Sequence, residues 1–170
     1  MSEHLQLRPL RIDDEQPFLA GHKELMASDG FYLALNYDEG MAWTDYLLRL
    51  QNMARGIDLP EGRVPDTFLV VDVGGVIVGR VSIRHELNAW LAEQGGHIGY
   101  GILPAYRRRG YATETLRQAL IIARSIGVSP SLVCCDDVNV GSAKVIERCG
   151  GKLESVVEGD NGPLRRYWAP

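Results

Sequence analysis

The sequence predicts an α+β (α/β mixed) fold, with about seven strands in a mixed sheet and about four helices on its faces. Three observations predict it. Early apolar residues recur at helical spacing, as in Phe18, Leu19, His22, Leu25 and Met26. The period then shortens to that of strands in Thr67–Val73 and Val76–Ile83, with Gly74-Gly75 between them as a hairpin turn. Beyond the hairpin, strand-like and helix-like segments alternate, the order of β-α units that carry helices on a sheet.

Each element has its own signal. Leu5-Gln6-Leu7-Arg8 alternates like a strand and stops at Pro9. Asp13 and Asp14 suit the start of the first helix, which Gly30 ends. A second helix covers Met41 to Arg55, with Trp43, Tyr46, Leu47 and Leu50 on one stripe. Gly56 to Pro65 is a loop, and Glu86 to Gly95 is a connection with some helical character. His97 to Leu103 forms the third strand of the hairpin set. Thr113 to Ile126 is a helix with Leu116, Ala119, Leu120 and Ala123 inward, stopped by Gly127. Leu132 to Cys135 is a short buried strand, and Asn139 to Cys149 a helix ending at Gly150-Gly151. Lys152 to Val157 and Leu164 to Trp168 close the sheet.

The 170 residues, 45% of them apolar, suit one domain over 1–170 with a single core. A net charge of −4 disfavours nucleic acid as a partner, so any basic site is local. No apolar run is long enough to span a membrane, and Glu3 and His4 do not suit a secretory signal. Cys134 and Cys135 are adjacent inside an apolar run, Cys149 stands alone, and no C-x-x-C spacing offers a metal site. A reducing, cytoplasmic setting is expected, with the cysteines as small core residues.

The segment from Tyr100 to Ala112 is the richest in chemistry. A strand runs into Pro104, then into Arg107-Arg108-Arg109-Gly110, then into a helix. The first-turn N–H groups of that helix have no intrahelical acceptor, Gly110 keeps side-chain bulk away, and the arginines add forked donors. The arrangement suits an anion, above all a pyrophosphate. A basic turn that only caps a helix is the plainer reading. The Walker and Rossmann glycine patterns are absent. A phosphate track for nucleic acid, using Tyr106 and Tyr111 beside the arginines, is opposed by the acidic chain.

Arg107-Arg108-Arg109-Gly110-Tyr111-Ala112 resembles the Arg/Gln-x-x-Gly-x-Gly/Ala signature of the GNAT superfamily of acyl-CoA-dependent N-acyltransferases. A second element of that family, Asn139-x-x-Ser142 opening a helix, follows in the right order. The resemblance covers essentially the whole chain. It is nearest to a group of uncharacterised bacterial predicted acetyltransferases, which share the stretch Gly95–Gly101 and the ending Arg165–Trp168.

The resemblance implies a mostly antiparallel, twisted sheet and acetyl-CoA as co-substrate, with no metal. It implies that backbone N–H groups from Arg107, Arg108, Arg109, Gly110, Tyr111 and Ala112 hold the pyrophosphate. The pantetheine arm would pair with Tyr100 and Ile102, with Leu103 following, and Asn139 and Ser142 would reach it from the next helix. The Tyr100 N–H would stabilise the developing oxyanion. Asn139 also reads as a plain helix cap.

Many relatives place a Glu base at the start of the fourth strand. Here that position is Gly96, and the neighbouring His97 is the candidate base, although strand alternation also suits a structural histidine. The relatives' Tyr acid falls on Ile146, leaving Tyr106, Tyr111, Tyr167 or solvent. A covalent route through Cys134 or Cys135 has no neighbouring histidine in sequence to support it. The acceptor site is expected among Phe31, Tyr32, Trp43, His85, Glu86, Trp90 and Tyr167, with His85 and Glu86 favoured because a carboxylate there attracts a cationic amine.

The expected activity is acetyl transfer to a primary amine, on a small molecule or a protein. A CoA-binding sensor without turnover is the alternative, and transfer to a hydroxyl or thiol stays open. Homodimers are frequent among the relatives.

Overall fold

The computed structural model describes residues 4–170. Strand β1 (Leu5–Arg8) leads through a short 3-10 turn to α1 (Glu15–Asp29), which ends at Gly30 in the left-handed region at φ 64°. Helix α2 (Trp43–Ala54) follows a long loop. Strands β2 (Asp66–Val73) and β3 (Val76–Arg84) pair antiparallel around Gly74 and Gly75, both at positive φ as a tight hairpin turn requires. Then come a single π-turn at Leu91–Gly95, β4 (Ile98–Ile102), α3 (Tyr111–Ser125) and β5 (Ser131–Asp136). Helix α4 (Val140–Arg148) and the antiparallel pair β6 (Lys152–Gly159) and β7 (Gly162–Ala169) complete the order.

The expected mixed, mostly antiparallel arrangement is present, but it is divided. One sheet runs β1-β2-β3-β4 and the other β5-β7-β6, each antiparallel throughout. They meet at the starts of β4 and β5, where His97 N–H donates to the Leu132 carbonyl at 2.7 Å and Leu132 N–H donates to His97 Nδ1 at 2.9 Å. Strands β4 and β5 stay neighbours beyond this junction. No ladder joins them beyond that point among the described residues, which leaves an unladdered gap between the facing edges of β4 and β5.

Two apolar layers sandwich the first sheet. Leu116, Ala119, Leu120 and Ala123 of α3 pack on Leu69, Val81 and Ile83, as the helical stripe predicts. On the opposite face Phe18, Leu25, Trp43 and Tyr46 pack on Phe68 and Val70. Tyr46 also donates its hydroxyl to the Leu35 carbonyl at 2.9 Å and so pins the loop between α1 and α2. Arg80 of β3 is buried at 4% exposure on this face. Its guanidinium donates to Tyr32 O at 2.9 and 3.1 Å and to Gly99 O at 3.2 Å, and lies 4.3 Å from the Phe31 ring centroid. The same loop is thereby held down across β3 and β4. Among the described residues no helix is long and apolar enough to cross a membrane.

Candidate active site

The turn after β4 leaves a run of backbone donors open. Among the described residues, none of the N–H groups of residues 108–113 donates to a protein acceptor, while Glu114 N–H resumes helical bonding to Gly110 O. Gly110 has φ 83°, and a Cβ there would meet nothing within 4 Å, so the turn is exposed on that side. Arg108 has φ 64°, a conformation that costs a side-chain-bearing residue energy and is retained most often at functional turns. The open donors and the α3 N-terminus together form a concave anion site.

The three arginines have different duties. Arg107 donates through Nε to Ile102 O at 3.0 Å and through Nη2 to Asp29, so it straps the turn to β4 and the end of α1. Arg109 reaches Ala105 O at 3.3 Å and lies over Tyr106 at 5.6 Å. Arg108 alone has no protein partner among the described residues and is exposed.

The free edge of β4 has a definite phase. Arg84 N–H bonds His97 O at 2.7 Å and Leu103 N–H bonds Val78 O at 2.8 Å. In an antiparallel ladder the bonded pairs alternate, so Gly99 and Gly101 bond to β3. Ile98, Tyr100 and Ile102 therefore turn their N–H groups toward the gap beside β5. The Tyr100 phenol spans that gap on the α3 side and meets Ser142 Oγ at 2.8 Å. Burial raises its pKa, partly offset by that hydrogen bond, so the phenol stays neutral.

Asn139 caps α4, its Oδ1 accepting from Ser142 N–H at 3.1 Å. Its side-chain amide stays exposed beside the gap.

His97 is bound into the sheet junction. Its Nδ1 accepts the Leu132 N–H, which fixes the neutral tautomer with hydrogen on Nε2 and leaves no lone pair to take a proton. Burial, then the nearby Arg84 charge, lowers its pKa. The geometry opposes the general-base role expected for it and supports a structural one. Replacing His97 by Ala is expected to destabilise the fold by about 1–3 kcal/mol, the cost of orphaning a buried N–H. The pH–rate profile keeps its shape. Because the folded pKa is depressed, this histidine contributes stability above about pH 6.5 that is lost as pH falls. Melting curves from pH 8 to 5 check the sign, and the variant shows a shallower slope.

The cysteines also depart from chemistry. Burial pushes the Cys134 and Cys135 thiols up to about 11, so little thiolate exists at neutral pH. Cys134→Ala and Cys135→Ala are expected to keep at least about half of wild-type turnover, and a thiol-alkylating reagent to leave it intact.

The acceptor side differs from expectation by one residue. His85 faces α3, with Nε2 2.7 Å from Thr67 Oγ1, and Glu86 is exposed. Neither is part of the lining of the cavity beside Arg84. That cavity, of about 150 Å³, opens on the other face, between the α1–α2 loop, the loop before β2 and the π-turn. Arg63, Asp66, Arg84, Asn88 and Trp90 are among its walls. Of the other residues expected there, Phe31 lies against Gly101 of β4, Tyr32 is exposed, and Trp43 and Tyr167 are buried in the cores. Strand alternation held the missed signal: Arg80, Ser82 and Arg84 share one face, and residue 85 falls on the other.

A family model described as an acetyltransferase (GNAT) domain matches residues 4–152. The chain belongs to the GNAT acetyltransferase family. It is thus an acyl-CoA-dependent acetyltransferase. No curated protein matches it. Among solved structures, an acetyltransferase from Agrobacterium tumefaciens str. C58 is 23% identical at a TM-score of 0.63, covering 98% of this chain and 92% of that one. Mycobacterium smegmatis RimJ, in complex with CoA-disulfide, is 18% identical at 0.69, covering 96% of this chain and 80% of that one. Salmonella typhimurium yncA, solved with its cofactor acetyl-CoA, is 14% identical at 0.64, covering 96% and 92%. At these identities the likeness concerns the fold.

This GNAT chain has no room for the strand-start carboxylate. Gly96 has φ 67°, and a Cβ there would stand 2.5 Å from the Leu132 carbonyl oxygen. The contact that joins the two sheets excludes any side chain at that point. Ile146, aligned with the relatives' Tyr, is fully buried. Of the substitutes, the buried Tyr167 donates to the exposed Glu147 at 3.0 Å, and Tyr106 and Tyr111 pack around Ile102 and the residues flanking the hairpin turn.

Proposed function

We propose that the protein transfers the acetyl group of acetyl-CoA to a primary amine by direct attack. The observation that carries this reading is the set of N–H groups at residues 108–113 without a partner among the described residues, placed beyond a strand edge whose N–H groups face no ladder partner. The residues present fit the donor. The open turn and Arg108 take the pyrophosphate. Tyr100 and Ile102 offer backbone hydrogen bonds to an extended arm, while the Ile102 carbonyl is already occupied by Arg107. Asn139 stands beside the same gap.

The Tyr100 N–H is aimed where the thioester oxygen gains charge. One such donor contributes about 3 kcal/mol to the transition state in related acyl-transfer chemistry. The neutral amine bonds to the acyl carbon, the C–S bond breaks, and CoA leaves as a thiolate that takes a proton from solvent. The proton of the amine passes to solvent, because His97 has no lone pair to offer and Gly96 no side chain.

Calorimetric titration with acetyl-CoA, against ATP as a comparison, tests the donor site. Micromolar binding of acetyl-CoA, much tighter than ATP, supports it, and equal or absent binding overturns it. Thiol release with a panel of amines then separates a transferase from a sensor, which binds without turnover.

A further inference from the structure

We infer that Arg84 holds the carboxylate of the acceptor, and that the acceptor is an α-amino acid. The inference rests on the amine-acetylation reading above and names its substrate class.

Arg84 ends β3 and lines the 150 Å³ cavity. Its Nη1 donates to the Gly95 and Gly96 carbonyls at 3.0 and 3.3 Å. Its Nε and Nη2 donate to nothing among the described residues, and it joins no ion pair there. Arg84 is partly buried, and a guanidinium with an unpaired fork at a cavity wall is poised for a bidentate anion. Arg63 adds a second positive charge to the same cavity.

The position of that fork limits the ligand. Its Nη atoms lie 3.4 Å from where a Cβ on Gly99 would stand, so the guanidinium overlies β4 one residue before Tyr100. Adjacent strands are about 4.8 Å apart, so an anion on Arg84 lies within about one amino-acid length of the acyl carbon held at Tyr100. The amine and the acid group must then be close neighbours in the acceptor. An α-amino acid satisfies that spacing. A polyamine has no acid group to offer, and in a peptide N-terminus the corresponding carboxyl is an amide.

Asp66 completes the wall. It stands opposite Arg84 on β2, one strand further from β4, and Ser82 Oγ donates to its Oδ2 at 2.5 Å. Its Oδ1 is buried without a hydrogen-bond partner among the described residues. That oxygen faces the side-chain end of the acceptor and suits an acceptor whose side chain carries a donor.

The test measures thiol release by the full chain with acetyl-CoA and a set of α-amino acids, each beside its own carboxamide, with spermidine as a further acceptor. The expected result is at least one amino acid with a kcat/KM about 30-fold or more above its carboxamide, the loss that follows when one partner of a buried charge pair is removed. Arg84→Gln erases that preference and Arg84→Lys restores part of it. Equal use of acid and carboxamide, or turnover of spermidine alone, overturns the inference while leaving amine acetylation standing. Failure to bind acetyl-CoA overturns both. The comparison of acid with carboxamide uses the natural chain, so it decides the matter even if the Arg84 variants do not fold.

Discussion

Gly110→Asp is expected to weaken acetyl-CoA binding by at least about 100-fold while the protein still folds. The fold survives for a local reason: a Cβ at Gly110 meets nothing within 4 Å. The φ of 83° is strained for most residues, but Asp tolerates the left-handed region better than all but Asn and Gly. The ligand is affected for two reasons. A carboxylate enters the centre of the open N–H groups at residues 108–113, and it repels a pyrophosphate through little intervening water. It also offers those N–H groups an internal acceptor, which competes with the ligand for the same donors. Gly110→Ala separates the terms, because it adds the strain without the charge. Its loss is expected to stay within about tenfold. Calorimetry gives the affinities and a thermal melt confirms folding. Unchanged affinity in Gly110→Asp would remove the turn from the donor site.

The turn was legible in the sequence because its chemistry is local. A helix start, a glycine and a proline within one short segment dictate open N–H groups whatever the rest of the chain does. The order of strands and helices was legible for a similar reason, since periodicity and glycine punctuation act over a few residues. Two kinds of feature were not legible. The first depends on which of two faces a strand presents. His85 and Arg84 are neighbours in sequence, yet only Arg84 reaches the cavity, because the pairing register with β2 puts residue 84 on the face under the α1–α2 loop. The second depends on contacts distant in sequence. Nothing near His97 announces that Leu132 N–H will occupy its Nδ1, and nothing near Arg107 announces Asp29. Both residues carry suitable chemistry, and the fold directs it to holding sheets and helices together. The division of the sheet has the same origin, since one junction of backbone and imidazole joins β4 to β5 before the ladder stops.

Arg8 shows how far such a distant contact affects stability, and Asp14→Ala is expected to destabilise the protein by about 3–5 kcal/mol. Read as the end of an alternating strand, Arg8 is instead 7% exposed and joins three segments. Its Nη1 and Nη2 donate to Asp14 at 2.7 and 3.0 Å, its Nε donates to Asp72 at 2.6 Å, and Nη1 also reaches Pro9 O at 3.0 Å. Asp14 in turn accepts the Arg11 N–H at 2.7 Å, and Asp72 accepts the Gly75 N–H at 2.7 Å. Removing Asp14 leaves two guanidinium donors and a backbone N–H unsatisfied in a nearly dry site, a larger loss than the net value of the pair. For a chain of this size the melting temperature should fall by on the order of 10 °C. Burial alone would raise the Asp14 pKa, but the Arg8 hydrogen bonds and the Arg11 N–H outweigh it, and the net shift is downward. A depressed folded pKa means the unfolded chain takes up the proton first. The contribution is therefore complete above about pH 4 and is lost as pH falls through the folded value. Asp14→Asn keeps the shape, removes the charge, and should flatten that acid limb. Melting curves of the three proteins between pH 7 and 2 decide it: a drop under about 2 °C at pH 7, or an unchanged acid limb, would show that Arg8 is held by Asp72 and packing alone.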